Sequence, residues 1–446
     1  MTTVWLILIA VVLFELIIFF HEGGHFVAAK LSGVKVNEFA LGMGPKLFSF
    51  KKGETQYSLR LFPIGGYCAM EGEDEDSENP RAFNNAKIWK RMIIIVAGAF
   101  MNIIFGMVLL MITLIPNDNF ESTTVSQFTP YSYTAACGLQ EGDEIIEING
   151  YDINTATDFS FALYTLPVSE VDGKSFEIYK EDCLYTMYTH AADCAVKTTQ
   201  EQVDKINQLV DEGSYKIFET KDRESAYSLM CTYIDKLSDA GSKDRLDKYP
   251  EIEVKDTRLR FRTDMTVIRD GEEVVLKNVD FYTYKIGEDG EPTLAIDFYV
   301  EPIDNNFFTL LSQTGKQSVS VARMVWNSLV GLVSGEFSFN DVSGPVGIAS
   351  AITDVASESL KSGFSEAVMS IIYVMMVISI NLGIVNMLPF PALDGGRFVM
   401  LLIEAIFKKP VPRKVEAAIN GVGLALLLML MLAITMKDVW VLIFGG

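Results

Sequence analysis

Histidine is almost missing from this chain, with three in 446 residues. Cysteine is scarce too. The five (Cys68, Cys137, Cys183, Cys194, Cys231) form no C-x-x-C pair, which excludes a thiolate metal knuckle. Whether Cys137, Cys183, Cys194 and Cys231 form disulfides is left open. Positive charge is outnumbered, 37 Lys and Arg against 58 Asp and Glu, a net charge of −21. Without basic stripes to meet phosphates, nucleic acid is not an expected partner. The N-terminus lacks a basic leader and a small-residue cleavage site, which argues against a removed signal peptide.

What is present is a set of long apolar runs. Four reach the roughly 20 residues that a helix needs to cross a bilayer: about Val4 to Lys30, Ile88 to Ile115, Ala367 to Leu388 and Ala417 to Met436. Lys and Arg gather between Lys30 and Arg91 and again from Arg397 to Lys414, whereas the stretch from Pro116 to Leu360 is acidic. Short basic loops stay in the cytoplasm while long domains translocate largely regardless of charge. The expectation is a multi-pass α-helical membrane protein with four transmembrane helices, both short loops in the cytoplasm and the acidic middle outside.

The segments between spans differ. Residues 31–87 carry Gly42, Gly44 and Pro45 amid period-2 alternation at Leu47–Phe50 and Gln56–Leu61, the pattern of short β-hairpins. Glu71 to Glu78 reads as a solvated acidic loop. The external region, 120–302, opens with a turn at Glu141–Asp143, an alternating strand Ile145–Ile148 and an Asn149-Gly150 turn. This resembles a PDZ domain, closed by strands at Asp264–Arg269 and Val274–Val279. Residues 168–258 are too long for the usual connection and read as an inserted subdomain, helical around Thr199–Asp211 and Glu224–Leu237. Residues 303–364 suggest amphipathic helices on the membrane surface. Residues 365–396 hold the third span and an irregular loop, and 397–446 a cytoplasmic loop and the fourth span.

Two of the three histidines stand in His21-Glu22-Gly23-Gly24-His25, at the end of the first apolar run. Four residues apart on a helix, both imidazoles face one metal ion, and the intervening Glu22 can take a proton from water there. A catalytic zinc needs a third protein ligand and an open position. Asp394 is the residue that stands out, in Asn386-Met387-Leu388-Pro389-Phe390-Pro391-Ala392-Leu393-Asp394-Gly395-Gly396, where prolines and glycines interrupt the helix. Irregular backbone near membrane depth is tolerated where it lines a protein-enclosed cavity. Asp394 could instead brace the Gly-rich turn. Glu15 could support the site or be a protonated or water-lining acid, and His190 reads as a surface residue.

Taken with Gly344-Pro345-Val346-Gly347, these motifs resemble the site-2 protease family, the zinc metalloproteases of regulated intramembrane proteolysis, in its bacterial PDZ-containing branch. The resemblance spans nearly the whole chain. It implies Zn2+ held by His21, His25 and Asp394, with Glu22 as general base. It implies Asn386 as a substrate-binding residue, although an Asn in a span also bonds neighbouring helices. It further implies a membrane-associated hairpin, with Gly42 and Gly44, that engages an extended substrate. The implied partners are the lipid bilayer, single-span membrane proteins of anti-sigma-factor or remnant-signal-peptide type, and peptide C-termini at the PDZ domain, with the active site towards the cytoplasm. The competing reading is a non-catalytic PDZ-containing membrane adaptor with a vestigial metal site.

Overall fold

The computed structural model describes residues 2–73, 75, 77–129, 132–164, 174–177, 217–220, 253–256, 260–286, 292–335, 342, 344–409 and 411–444. The chain divides into two compact units, Met1–Phe120 with Asp304–Gly446, and Glu121–Ile303.

The first unit is built on apolar helices. Helix α1 covers Thr2–Ser32 and α2 covers Ile88–Leu114. Four helices are long and apolar enough to cross a membrane, over Ile9–Ser32, Ile88–Leu114, Phe364–Asn386 and Lys414–Val441. Helix α2 is the central one. Its buried residues recur at three- and four-residue steps from Ile94 through Gly98, Asn102, Phe105 and Leu109. It packs against α1 and against the later helices α5 (Phe307–Ser334), α7 (Phe364–Asn386) and α8 (Asp394–Phe407). Helix α6 (Pro345–Ser362) starts in the Gly344-Pro345-Val346-Gly347 motif. Its first amides, Gly344 N and Gly347 N, donate to the Asp438 carboxylate of α9 (Arg413–Phe444) at 2.9 and 2.8 Å. That carboxylate satisfies amides a helix start leaves unpaired.

Strands β1 (Val36–Lys52) and β2 (Thr55–Met70) are longer than the short hairpins expected from the alternation. Each folds back on itself, so one pair of strands makes a sheet of four segments. Lys46–Lys52 pairs with Thr55–Arg60, Glu38–Leu41 pairs on one side with Gln56–Leu59, and on its other side with Gly66–Ala69. Gly42 (φ +76°), Gly44 (φ +86°) and Gly65 (φ +82°) make the bends, in backbone conformations that side chains resist. Leu47, Phe48, Phe50, Leu61 and Phe62 are exposed on this sheet. So large an uncovered apolar surface suits lipid, not water.

Two further expectations are corrected. The acidic run after β2 is not simply solvated: Lys35 Nζ, Asn37 Nδ2 and Ser77 Oγ all donate to Glu71, and Arg397 donates to Glu73. The irregular stretch after α7 ends sooner than its glycines suggested, because Asp394-Gly395-Gly396 is the first turn of α8. A carboxylate at a helix start is favoured by the helix dipole. Helix α5 is amphipathic with its faces inverted relative to a soluble protein. Gln313, Thr314, Ser318 and Ser320 are buried, while Phe307, Phe308, Val319, Trp326 and Val333 are exposed. The buried hydroxyls of Thr314 and Ser318 donate to the carbonyls of Leu310 and Thr314 one turn back.

The second unit has a sheet in the order β11-β10-β9-β4-β3-β12, with β5 beside β4. Its strands are β3 (Asn119–Phe128), β4 (Glu144–Ile148), β5 (Tyr151–Asp152), β9 (Arg260–Arg269), β10 (Glu272–Ile286), β11 (Pro292–Ala295) and β12 (Phe298–Asp304). The short helices α3 (Tyr133–Ala136) and α4 (Thr157–Tyr164) lie between β3 and β4 and after β5. Ile145, Ile148, Phe159, Leu163, Met265, Val267 and Phe281 form its core. Arg269 clamps the buried Asp143 through two nitrogens at 2.6 and 2.7 Å, tying β9 to the turn before β4. A second sheet, β6-β8-β7, joins Lys174–Glu177, Glu253–Asp256 and Ile217–Thr220. The helices expected at Thr199–Asp211 and Glu224–Leu237, with His190, Cys183, Cys194 and Cys231, lie outside the described residues.

The turn between β1 and β2 is held by charge. Arg81 chelates Glu54 through two nitrogens and Lys30 Nζ adds a third bond, all at 2.8 Å. Arg81, then Lys30, holds the Glu54 carboxyl at about 2, below the usual carboxylate range. A depressed pKa stabilises the fold above the unfolded value and loses that effect as pH falls through the folded one. Amide exchange at Gly53–Thr55 is therefore expected to accelerate, relative to intrinsic rates, between pH 4.5 and about 2. In Glu54→Gln it should already be fast at neutral pH and show no such step.

Candidate metal centre

Helix α1 places His21 and His25 one turn apart, both turned to α2. Asp394, at the first position of α8, comes to them from the far end of the sequence. His21 Nε2 and His25 Nε2 lie 3.3 Å apart, and Asp394 Oδ2 is 3.4 Å from the first and 3.3 Å from the second. These are the three described groups that could hold one metal ion. Ligands placed tetrahedrally at zinc bond lengths stand roughly 3.3 Å from each other. The triangle therefore has the size zinc requires. Its chemistry fits as well, since Asp394 Oδ2 is buried and makes no hydrogen bond, a costly state for a carboxylate oxygen that faces no cation.

The wall behind the triangle is a single stripe of α2. Ile94 O accepts from His25 Nδ1 at 2.8 Å, which leaves the Nε2 lone pair of that ring free. One turn on, Gly98 gives the rings their room. A β-carbon there would stand 2.3 Å from His25 Nε2 and 2.9 Å from His21 Cε1. Gly24, inside the histidine motif, plays the matching part on α1, where a β-carbon would meet the Ala97 carbonyl oxygen at 2.3 Å. Two turns from Ile94, the Asn102 amide reaches His21 Nδ1 at 3.2 Å. Ion pairs fix α8, and with it Asp394: Arg91 of α2 donates to Glu404 at 2.6 Å, and Arg397 pairs with Glu73.

Glu22 lies between the histidines in sequence and against β2 in space. A β-carbon on Gly66 would be 3.4 Å from Glu22 Cγ and 3.1 Å from Ile18 Cγ2. Of the sheet's two outer segments, Gly66–Met70 is thus the one beside Glu22. Cys68 sits in this segment, buried and reduced. Burial, and then the nearby Glu22 and Glu73 charges, push its thiol up.

The other residues expected at the site are placed by the elements that carry them. Asn386 is the last residue of α7 and half-buried. Gly42 and Gly44 are at the bend of β1, where a β-carbon would meet Phe62 O at 2.5 Å and the Phe62 ring at 2.7 Å. Their glycine character thus follows from the bend itself. Glu15 stands two helical turns before Glu22, with a buried Oε1 that has no hydrogen bond among the described residues. Sequence reasoning missed Gly98 and Asn102. The available signal was an amide in the middle of an apolar span, four residues after a glycine.

The sequence pattern of Peptidase family M50 matches residues 9–430. The chain belongs to peptidase family M50. It is similar to the zinc metalloprotease RasP of Bacillus licheniformis, 30% identical over 451 residues, which cover 96% of this chain and 97% of that one. The regulator of sigma-W protease RasP of Bacillus subtilis is 27% identical over 454 residues, with the same coverage. The zinc metalloprotease RasP of Geobacillus kaustophilus is 28% identical over 479 residues, 96% of each chain. This family member is a site-2-type zinc metalloprotease and a bacterial integral membrane protein.

Gly98→Ala is expected to lower zinc affinity by about 100-fold or more, since its methyl group displaces both rings at once. Zinc retained after dialysis against graded chelator would measure this, with circular dichroism in detergent reporting that the helices remain.

Proposed function

We propose that this chain is an endopeptidase that cuts single-span membrane proteins within or near their spans. His21, His25 and Asp394 hold the zinc, and Glu22 is the general base. The observation that carries the reading is the equilateral meeting of the Asp394 carboxylate with two imidazoles carried by the apolar stretch Ile9–Ser32. Bound zinc supplies a Lewis acid for the attacking water and the scissile carbonyl. Glu22, at the centre of the motif, accepts the proton of that water and returns it to the leaving amine. The Ile94 carbonyl keeps His25 turned towards the site.

A helical substrate has its carbonyls bonded internally and must unwind to be attacked. An extended peptide is captured by adding to a sheet edge, and Gly66–Met70 is the edge beside Glu22. Gly42 and Gly44 serve by shaping the bend beneath that edge, and Asn386 by contacting the substrate near the loop that leads to Asp394. The second unit is read as an external PDZ-like domain, with residues 168–258 as its insertion, that receives peptide C-termini. The short basic loops support a cytoplasmic side for the hairpin and the active site. The Bacillus subtilis relative is named for a regulator of sigma-W. That likeness supports substrates of the anti-sigma-factor type, with remnant signal peptides as the other class. The adaptor reading needs a decayed site, and His21, Glu22, His25 and Asp394 are all in place.

Glu22→Gln separates the readings. It should bind zinc as the wild type does yet cleave a reconstituted single-span reporter roughly 10²–10⁴-fold more slowly. Chelation should silence the wild type and added zinc restore it. Undiminished cleavage by Glu22→Gln would overturn the assignment of the base.

A further inference from the structure

Asn102 is fully buried at the middle of α2. Helix α7 closes over it. Ser379 Oγ donates to the Asn102 backbone carbonyl at 2.7 Å, and a β-carbon on Gly383 would stand 3.5 Å from Asn102 Cβ. Bulk solvent therefore does not reach this amide, and its partner is sought among the protein groups around it. Its one side-chain neighbour within hydrogen-bond distance is His21 Nδ1, at 3.2 Å from Nδ2, while Oδ1 is buried with no partner.

The chemistry of the neighbour decides which amide atom belongs there. An imidazole that offers Nε2 to a cation carries its proton on Nδ1 and needs an acceptor. His25 has one, the Ile94 carbonyl. Two donors, Nδ1–H of His21 and the Asn102 NH2, cannot face each other. The oxygen and nitrogen of an amide are told apart by their partners, and turning this one over brings the orphaned Oδ1 to Nδ1–H. We propose that Asn102 is a positioning residue that accepts from His21 Nδ1–H through Oδ1, fixing the tautomer and plane of that ring so that Nε2 points at the metal. The inference rests on the zinc site proposed above. It makes α2 the common backing of both imidazoles, a main-chain oxygen for one and a side-chain oxygen two turns later for the other.

The test compares Asn102→Leu, Asn102→Asp and His21→Ala in the full-length protein in detergent. Zinc affinity is read by competition with a chromogenic chelator, and ligand geometry by the visible absorption of the cobalt-loaded protein. Asn102→Leu keeps the branch at Cγ and removes the acceptor, so affinity should fall 10- to 100-fold and the cobalt bands should shift or weaken. Asn102→Asp restores an acceptor and removes the donor, so affinity and bands should match or exceed the wild type. Equal affinity in Asn102→Leu, or a loss in Asn102→Asp as large as in Asn102→Leu, overturns the proposal. His21→Ala keeps the two questions apart. If it binds zinc as tightly as the wild type, the metal site itself is wrongly assigned; if it loses zinc while Asn102→Leu does not, only the positioning role falls.

Discussion

The contact on which the rest depends is the close approach of α1 and α2 at Gly24 and Ala97. Two apolar helices in lipid gain little by hiding from solvent, so their spacing is set by small residues and backbone approach. Here that spacing is also the depth of the metal site. With α2 this near, its Ile94 carbonyl meets one imidazole, Gly98 clears space for both, and Asn102 meets the other. A wider gap would leave the histidine pair facing a cleft with nothing to orient it.

The third ligand is delivered from a different kind of structure. Asp394 opens a helix instead of lying within a span, and α8 is tied down by polar contacts, Arg91 with Glu404 and Arg397 with Glu73. The two largely shielded members of the first pair, 12% and 15% exposed, lie where breaking one partner leaves an uncompensated charge. Apolar packing thus sets the histidines and charge sets the aspartate, which lets one site draw on residues separated by most of the chain.

Much of this was legible in the residues. Span positions follow from run length, and the ends of α2 and α7 fall within three residues of the apolar runs. Spacing alone pairs His21 with His25, and Asp394 is singled out by the prolines and glycines that precede and follow it. The backing stripe was not legible, because an all-apolar helix has no amphipathic pattern to say which side meets a neighbour. The start of α8 was hidden by Gly395 and Gly396, which read as breakers but serve close approach: β-carbons there would strike the Leu388 and Phe390 carbonyl oxygens at 2.2 and 2.3 Å.

The doubled hairpin has a consequence for how this chain can vary in length. Glu38–Leu41 is bonded on both flanks by the same strand, β2, at Gln56–Leu59 and at Gly66–Ala69. The chain between those two uses is therefore a closed count. One residue gained or lost at either bend would slip a register, and a one-residue slip exchanges the two faces of a strand. The face that carries Phe48 and Phe50 would then change sides with the one that carries Ser49 and Lys51. Insertions can accumulate elsewhere in the chain, but residues 36–70 are held to a fixed length.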